Sequence, residues 1–191
     1  MALPGGAEIA AALRGLGLVL RGDARALQFY DLSADGFWRS FLLPLIAAAL
    51  YFILQQPTEA ELAGWEGDAF GYGLVQAGQY VSAWIAYLAA ILLLVRGFQL
   101  KGSYPAFVVL YNWAQAITVA ATLPVLAAAQ AEWLPAGTLA GWHLTLLVAW
   151  MYIVAQLARL ALGAGLAAAM AAAALDLAVT VLLHRLFGLF G

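Results

Sequence analysis

Residues 41–54 read FLLPLIAAALYFIL, fourteen positions without one charge. Residues 85–95 read IAYLAAILLLV, equally free of charge and closed by Arg96. Crossing a hydrocarbon core of ~30 Å takes about 20 predominantly apolar residues in a helix. Extending both stretches to the length a span needs gives spans over about 36–56 and 71–95. The same rule places three more over about 104–126, 139–162 and 164–187, the last two joined at Gly163. Ser33 or Asp35 is a cap for the first span, and Pro44 inside it predicts a kink. Pro105 suits the first turn of the third span, where a missing N–H does no harm.

Composition agrees. Of the 191 residues, 66% are hydrophobic and 9% charged. A soluble domain carries roughly 25% charged residues, so part of the solvent here must be lipid. The expected fold is all-α: a polytopic transmembrane bundle of about five spans, residues 36–187, behind an N-terminal segment of residues 1–35. A four-span alternative leaves out the alanine-rich stretch after Gly163, where Asp176 costs about 2.5–3.5 kcal/mol to insert. Leu175, Leu177, Val179 and Val181 around it favour insertion.

In the N-terminal segment, Ile9, Leu13, Leu16 and Leu20 share one helical face, and Arg14 and Arg21 lie on another. That pattern predicts an interfacial amphipathic helix, or else a cytoplasmic helix packed on the bundle.

Charge sets the expected orientation. Seven of the eight basic residues, Arg14, Arg21, Arg25, Arg39, Arg96, Lys101 and Arg159, fall on one side of the five spans, leaving Arg185 on the other. Basic flanks stay cytoplasmic, so the N-terminus is expected inside and the C-terminus outside. Trp65, Tyr72, Trp133 and Trp142 then collect at the outer interface, with Trp38 and Tyr104 at the inner one. Seven arginines against one lysine in an Ala/Gly/Leu-rich chain point to a bacterium, and hence to its inner (cytoplasmic) membrane.

Cysteine is absent, which removes disulfides, thiolate metal sites and cysteine nucleophiles together. Eight scattered basic residues and a net charge of −2 give no nucleic-acid footprint. No phosphate-binding glycine loop, nucleophile elbow or His-Glu metalloprotease helix occurs, so no enzymatic activity and no cofactor are expected.

Polar residues within the spans are the remaining candidates. Asp176 falls about 18 Å along the fifth span, with Thr180 and His184 following at helical spacing. On the third span Tyr111, Gln115, Thr118 and Thr122 form a single face flanked by Asn112, and Ser82 follows Gln79 on the second. The expected site is an intramembrane polar layer of Asp176, Thr180, His184, Gln115, Thr118, Ser82 and Asn112, joined by interhelical hydrogen bonds, with Asp176 meeting Gln115, Thr118 or Ser82. A proton or ion pathway through Asp176 and His184, or a lipid or small-ligand pocket, are the alternatives. His143 and His184 fall at similar depth, but two histidines without a nearby carboxylate or thiolate make a poor metal site. The acidic loop from Glu59 to Asp68 reads as a solvated loop, or else as a cation or partner contact. Ala167 to Ala169 and Ala171 to Ala174 give the fifth span a smooth face for close helix approach, within the bundle or against another subunit or a second copy.

The segment YPAFVVLYNWAQ, Tyr104 to Gln115, with its core Tyr111-Asn112-Trp113, resembles a stretch of small bacterial membrane proteins similar to the Yip-domain family. The resemblance implies five spans, a cytoplasmic N-terminal segment and an external C-terminus. In eukaryotes the family is associated with small GTPases and vesicle traffic. It points to a non-enzymatic membrane scaffold. An accessory subunit of a larger respiratory, photosynthetic or transport complex, and a small proton- or solute-conducting protein using Asp176, are the other readings.

Overall fold

A computed structural model describes residues 3–55, 57, 62, 65, 67–135 and 137–187. Among them are seven α-helices and no strand: α1 (Gly6–Leu20), α2 (Ala34–Ser40), α3 (Leu42–Leu54), α4 (Ala69–Gly97), α5 (Tyr104–Gln130), α6 (Thr138–Leu162) and α7 (Leu166–Phe187). A short 3₁₀ helix, Ala24–Phe29, follows α1. Five helices are long and apolar enough to cross a membrane, with α2 and α3 together forming the first, Ala34–Leu54. Glu59, Glu61 and Glu66 of the acidic loop lie outside the described residues.

Local chemistry explains the boundaries. The Ser33 hydroxyl accepts from Gly36 N at 3.1 Å and caps α2. The kink expected at Pro44 falls one turn earlier, at Phe41 between α2 and α3. A proline ring crowds the carbonyl four residues back, here that of Ser40, so the chain bends before the proline itself. Asp68 caps α4 through Gly71 N at 2.7 Å. Ser103 caps α5 through Ala106 N at 3.2 Å. Gly163 ends α6 in the left-handed conformation, φ 66°, which lets the chain reverse within three residues. Pro124 does not stop α5, which runs on to Gln130.

The spans form a ring. The first packs along α5, α5 along α6, α6 along α7 and α7 along α4, while α4 closes the circle with lighter contacts to α3 and α5. α5 is the most enclosed of them. The small face of α7 lies inside: Ala168, Ala169, Ala172 and Ala173 are buried, and the small side chains let α4 and α6 approach closely.

The N-terminal segment folds onto this ring. α1 contacts the 3₁₀ helix, α5 and α6. Its buried face is Ala12, Gly15 and Val19; of the leucine stripe only Leu16 packs against the core, and Ile9, Leu13 and Leu20 are exposed. The Tyr30 hydroxyl donates to the Ala12 carbonyl at 3.1 Å, and its ring lies 6.5 Å from that of Trp113. Arg39 ties the segment to the first span, pairing with Asp31 at 2.8 Å, Asp35 at 3.0 Å and Glu8 at 3.4 Å.

Hydrogen bonds from the side chain and backbone of Ser33, and then the Arg39 guanidinium, hold the Asp31 carboxyl below its ordinary value of 3.8. A carboxyl lowered in the folded state contributes its stability above the unfolded value and loses it as pH falls through the folded one. Hydrogen exchange of residues 6–30 is therefore expected to be unchanged between pH 7 and 5, apart from the intrinsic rate. It should accelerate relative to α5 only below about pH 4. Parallel behaviour of the two regions down to about pH 3 would show that Asp31 does not hold the segment.

Candidate functional site

Asp176 is buried on the inner face of α7. Its carboxylate accepts from the Tyr111 hydroxyl at 2.6 Å and from Trp150 Nε1 at 2.8 Å. Both donors come from neighbouring helices, α5 and α6, so one side chain joins three spans. Aromatic rings wall the group in: Tyr111 packs on Phe107 at 5.8 Å, Tyr87 at 5.0 Å and, edge-on, Trp150 at 5.2 Å. The Tyr87 hydroxyl donates to the Ala172 carbonyl at 3.3 Å, one turn before Asp176.

Asn112, one position beyond Tyr111, joins another set of helices. Its Oδ1 accepts from Trp84 Nε1 at 3.0 Å, and its Nδ2 donates to the Ser40 hydroxyl at 2.9 Å. Ser40 in turn donates to the Phe37 carbonyl at 2.7 Å.

Asp176 does face the bundle interior, but its expected partners are elsewhere. Oε1 of Gln115 is buried without a hydrogen-bond partner among the described residues. The Thr118 carbonyl accepts from the Thr122 hydroxyl at 3.2 Å. Ser82 is half-buried and Thr180 exposed, and neither bonds to Asp176. His184 is exposed and pairs through Nδ1 with Gln79 Nε2 at 2.9 Å. The layer is thus three separate clusters, centred on Asp176, Asn112 and the Gln79–His184 pair.

Trp150, Trp84 and Ser40 are the residues that sequence reasoning passed over. For Trp150 a signal existed: it and Asp176 stand at equal distances along the chain on either side of Gly163. In an antiparallel hairpin such positions share one level.

A hollow of about 720 Å³ opens between α3 and α4, lined by Ala48, Phe52, Gly73, Ala77, Tyr80 and His184 among others; Asp176 does not line it. No group of three or more His, Cys, Asp or Glu among the described residues could hold a metal ion. The chemistry on offer is hydrogen bonding that locks helices together.

Five spans, a saturated buried carboxylate and an apolar perimeter define the class: this is a polytopic α-helical membrane protein. No family model, no curated protein and no solved structure matches the chain.

Proposed function

We propose that the chain is a non-enzymatic scaffold of the bacterial cytoplasmic membrane, Yip-like in its five-span plan. The observation that carries this is the saturation of Asp176 by Tyr111 and Trp150. A transport carboxylate needs access to water or to a partner that titrates near neutral pH, and the two partners of this one are a phenol and an indole N–H. What it offers is rigidity, which suits a body that holds other membrane proteins.

The decisive experiment is reconstitution into vesicles carrying an internal pH dye. Proton leakage should match that of protein-free vesicles for both the parent and Asp176→Asn. Leakage that the parent supports and Asp176→Asn abolishes would overturn the scaffold in favour of conduction.

The proposed orientation is N-terminus in and C-terminus out, supported by the distribution of basic residues. Reporter fusions after Gln99 should read cytoplasmic and fusions after Pro135 external. The reverse pattern at both sites would invert the protein.

A further inference from the structure

The outward side of α1 has a shape that its packing on the bundle does not require. At about 100° per residue, its side chains fall on three faces. Ala12, Gly15 and Val19 press on the protein. Roughly 100° around the helix stands the stripe of Ile9, Leu13 and Leu20, which are 44%, 51% and 44% exposed. Roughly 120° further on stand Arg14 and Arg21; neither side chain makes an ion pair or hydrogen bond among the described residues, although Arg21 acts on Asp23 through space. By contrast Arg25 is held by Asp23 at 2.6 Å, and Arg39 by its three carboxylates.

The apolar stripe continues onto the exposed flank of a helix apolar enough to cross a membrane. Its last member, Leu20, offers its carbonyl to the Tyr152 hydroxyl at 2.9 Å. Tyr152 and Val148 are 47% and 64% exposed on the flank of α6, a membrane span. An apolar face contiguous with a lipid-facing helix, bounded by two unpaired cations, matches the boundary between acyl chains and phosphates. A water-facing helix would have no use for the stripe. A protein partner would have to cover both the stripe and the flank of α6.

We infer that α1 is seated in the lipid interface and that Arg14 and Arg21 bind the phosphate headgroups of anionic phospholipids. This site is independent of the scaffold proposal and rests only on the membrane class of the protein. Each arginine near an anionic surface favours binding by roughly fivefold. Held by Tyr30, Tyr152 and Arg39 on one side and by lipid on the other, α1 couples the N-terminal segment to the headgroup composition around it.

The natural chain has no cysteine, so single cysteines at Leu13→Cys and Gly17→Cys label uniquely. Leu13 is exposed, and a Cβ at Gly17 meets nothing within 4 Å, so neither label disturbs the packed face. The whole protein, bearing a bimane label, is reconstituted into one-to-one phosphatidylcholine–phosphatidylglycerol vesicles. Bromine is placed on the acyl chains of either lipid, and iodide serves as the aqueous quencher. The Leu13 label should be quenched by brominated chains and shielded from iodide, and the Gly17 label should respond more to iodide. A Leu13 label open to iodide, or shielded from both quenchers by protein, overturns the seat. Brominated phosphatidylglycerol should quench the Leu13 label severalfold more than brominated phosphatidylcholine, and Arg14→Gln with Arg21→Gln should erase that preference. Equal quenching by the two lipids in the parent, or a preference that survives the double substitution, overturns the headgroup site.

Discussion

Gly102→Ala is expected to prevent the bundle from closing. A Cβ at Gly102 would run into the carbonyl oxygen of Ala161 and the backbone of Leu162, and backbone cannot rotate aside as a side chain can. The contact is a designed junction. Gly102 N donates to the Leu162 carbonyl at 3.1 Å and Ser103 N to the Ala161 carbonyl at 2.8 Å, so the start of α5 is sewn to the end of α6. Those carbonyls are orphans of a helix C-terminus and need such donors. The α6 end cannot retreat, because Gly163 in its left-handed conformation fixes the turn into α7. The loss is expected to exceed about 3 kcal/mol, in the range of severe backbone conflicts. Gly97→Ala and Gly165→Ala, where a Cβ meets nothing within 4 Å, are the controls and should be nearly neutral. Thermal unfolding in mild detergent checks this. A Gly102→Ala protein that melts within about 2 °C of the parent would show that the junction is not as tight as described.

Nothing in the sequence marks Gly102 as such a position. Between Lys101 and Ser103 it reads as an ordinary loop glycine, because the atoms it must accommodate lie some sixty positions away. The five spans, by contrast, were legible, since length and lack of charge are local properties that lipid rewards directly. The packing face of α1 was not. Periodicity weighs large apolar residues and so picks out Ile9, Leu13, Leu16 and Leu20, of which only Leu16 packs against the core, whereas close packing on a helix pair uses the small ones, Ala12 and Gly15. On α7 the alanine run leaves open whether its smooth face meets the bundle or a partner; Ala168, Ala169, Ala172 and Ala173 turn inward, and Ala167 and Ala174 are exposed.

The polar site was half legible for a related reason. That Asp176 turns inward follows from the cost of exposing it to hydrocarbon. Its partners depend on the relative heights of helices, and helices tilt by ~20° on average, so depth counted along each chain segment drifts. Counting residues in a straight helix pointed to Gln115 and Thr118. The hairpin at Gly163 fixes one register firmly, and there Trp150 sits opposite Asp176. Trp84 and Trp150 lie within apolar stretches, where an indole reads as one more apolar ring, and their N–H donors inside the bundle leave no mark on the sequence.

Asp176→Leu should destabilise the protein strongly, and Asp176→Asn should not. The carboxylate receives two donors of different kinds. Trp150 Nε1 can only donate, whereas the Tyr111 hydroxyl can donate or accept. An asparagine keeps both groups bonded if its Oδ1 accepts from Trp150 and its Nδ2 donates to the Tyr111 oxygen, so that only the Tyr111 proton loses its acceptor, a smaller loss than two unbonded groups. Leucine fills similar space but leaves the indole N–H and the buried hydroxyl without partners. Each unsatisfied donor costs about 1–3 kcal/mol, so the loss for Asp176→Leu should be about 2–6 kcal/mol. A second substitution distinguishes lost hydrogen bonds from poor packing. Trp150→Phe combined with Asp176→Leu removes one stranded donor, so the pair should cost less than the sum of the two single changes. Unfolding of all four proteins in the same detergent supplies the cycle. Strict additivity, or an Asp176→Asn protein as unstable as Asp176→Leu, would mean that the three-helix junction is not held by these bonds. Should Asn retain stability as expected, the charge of Asp176 is dispensable to the fold, and what joins α5, α6 and α7 is an acceptor oxygen at that position.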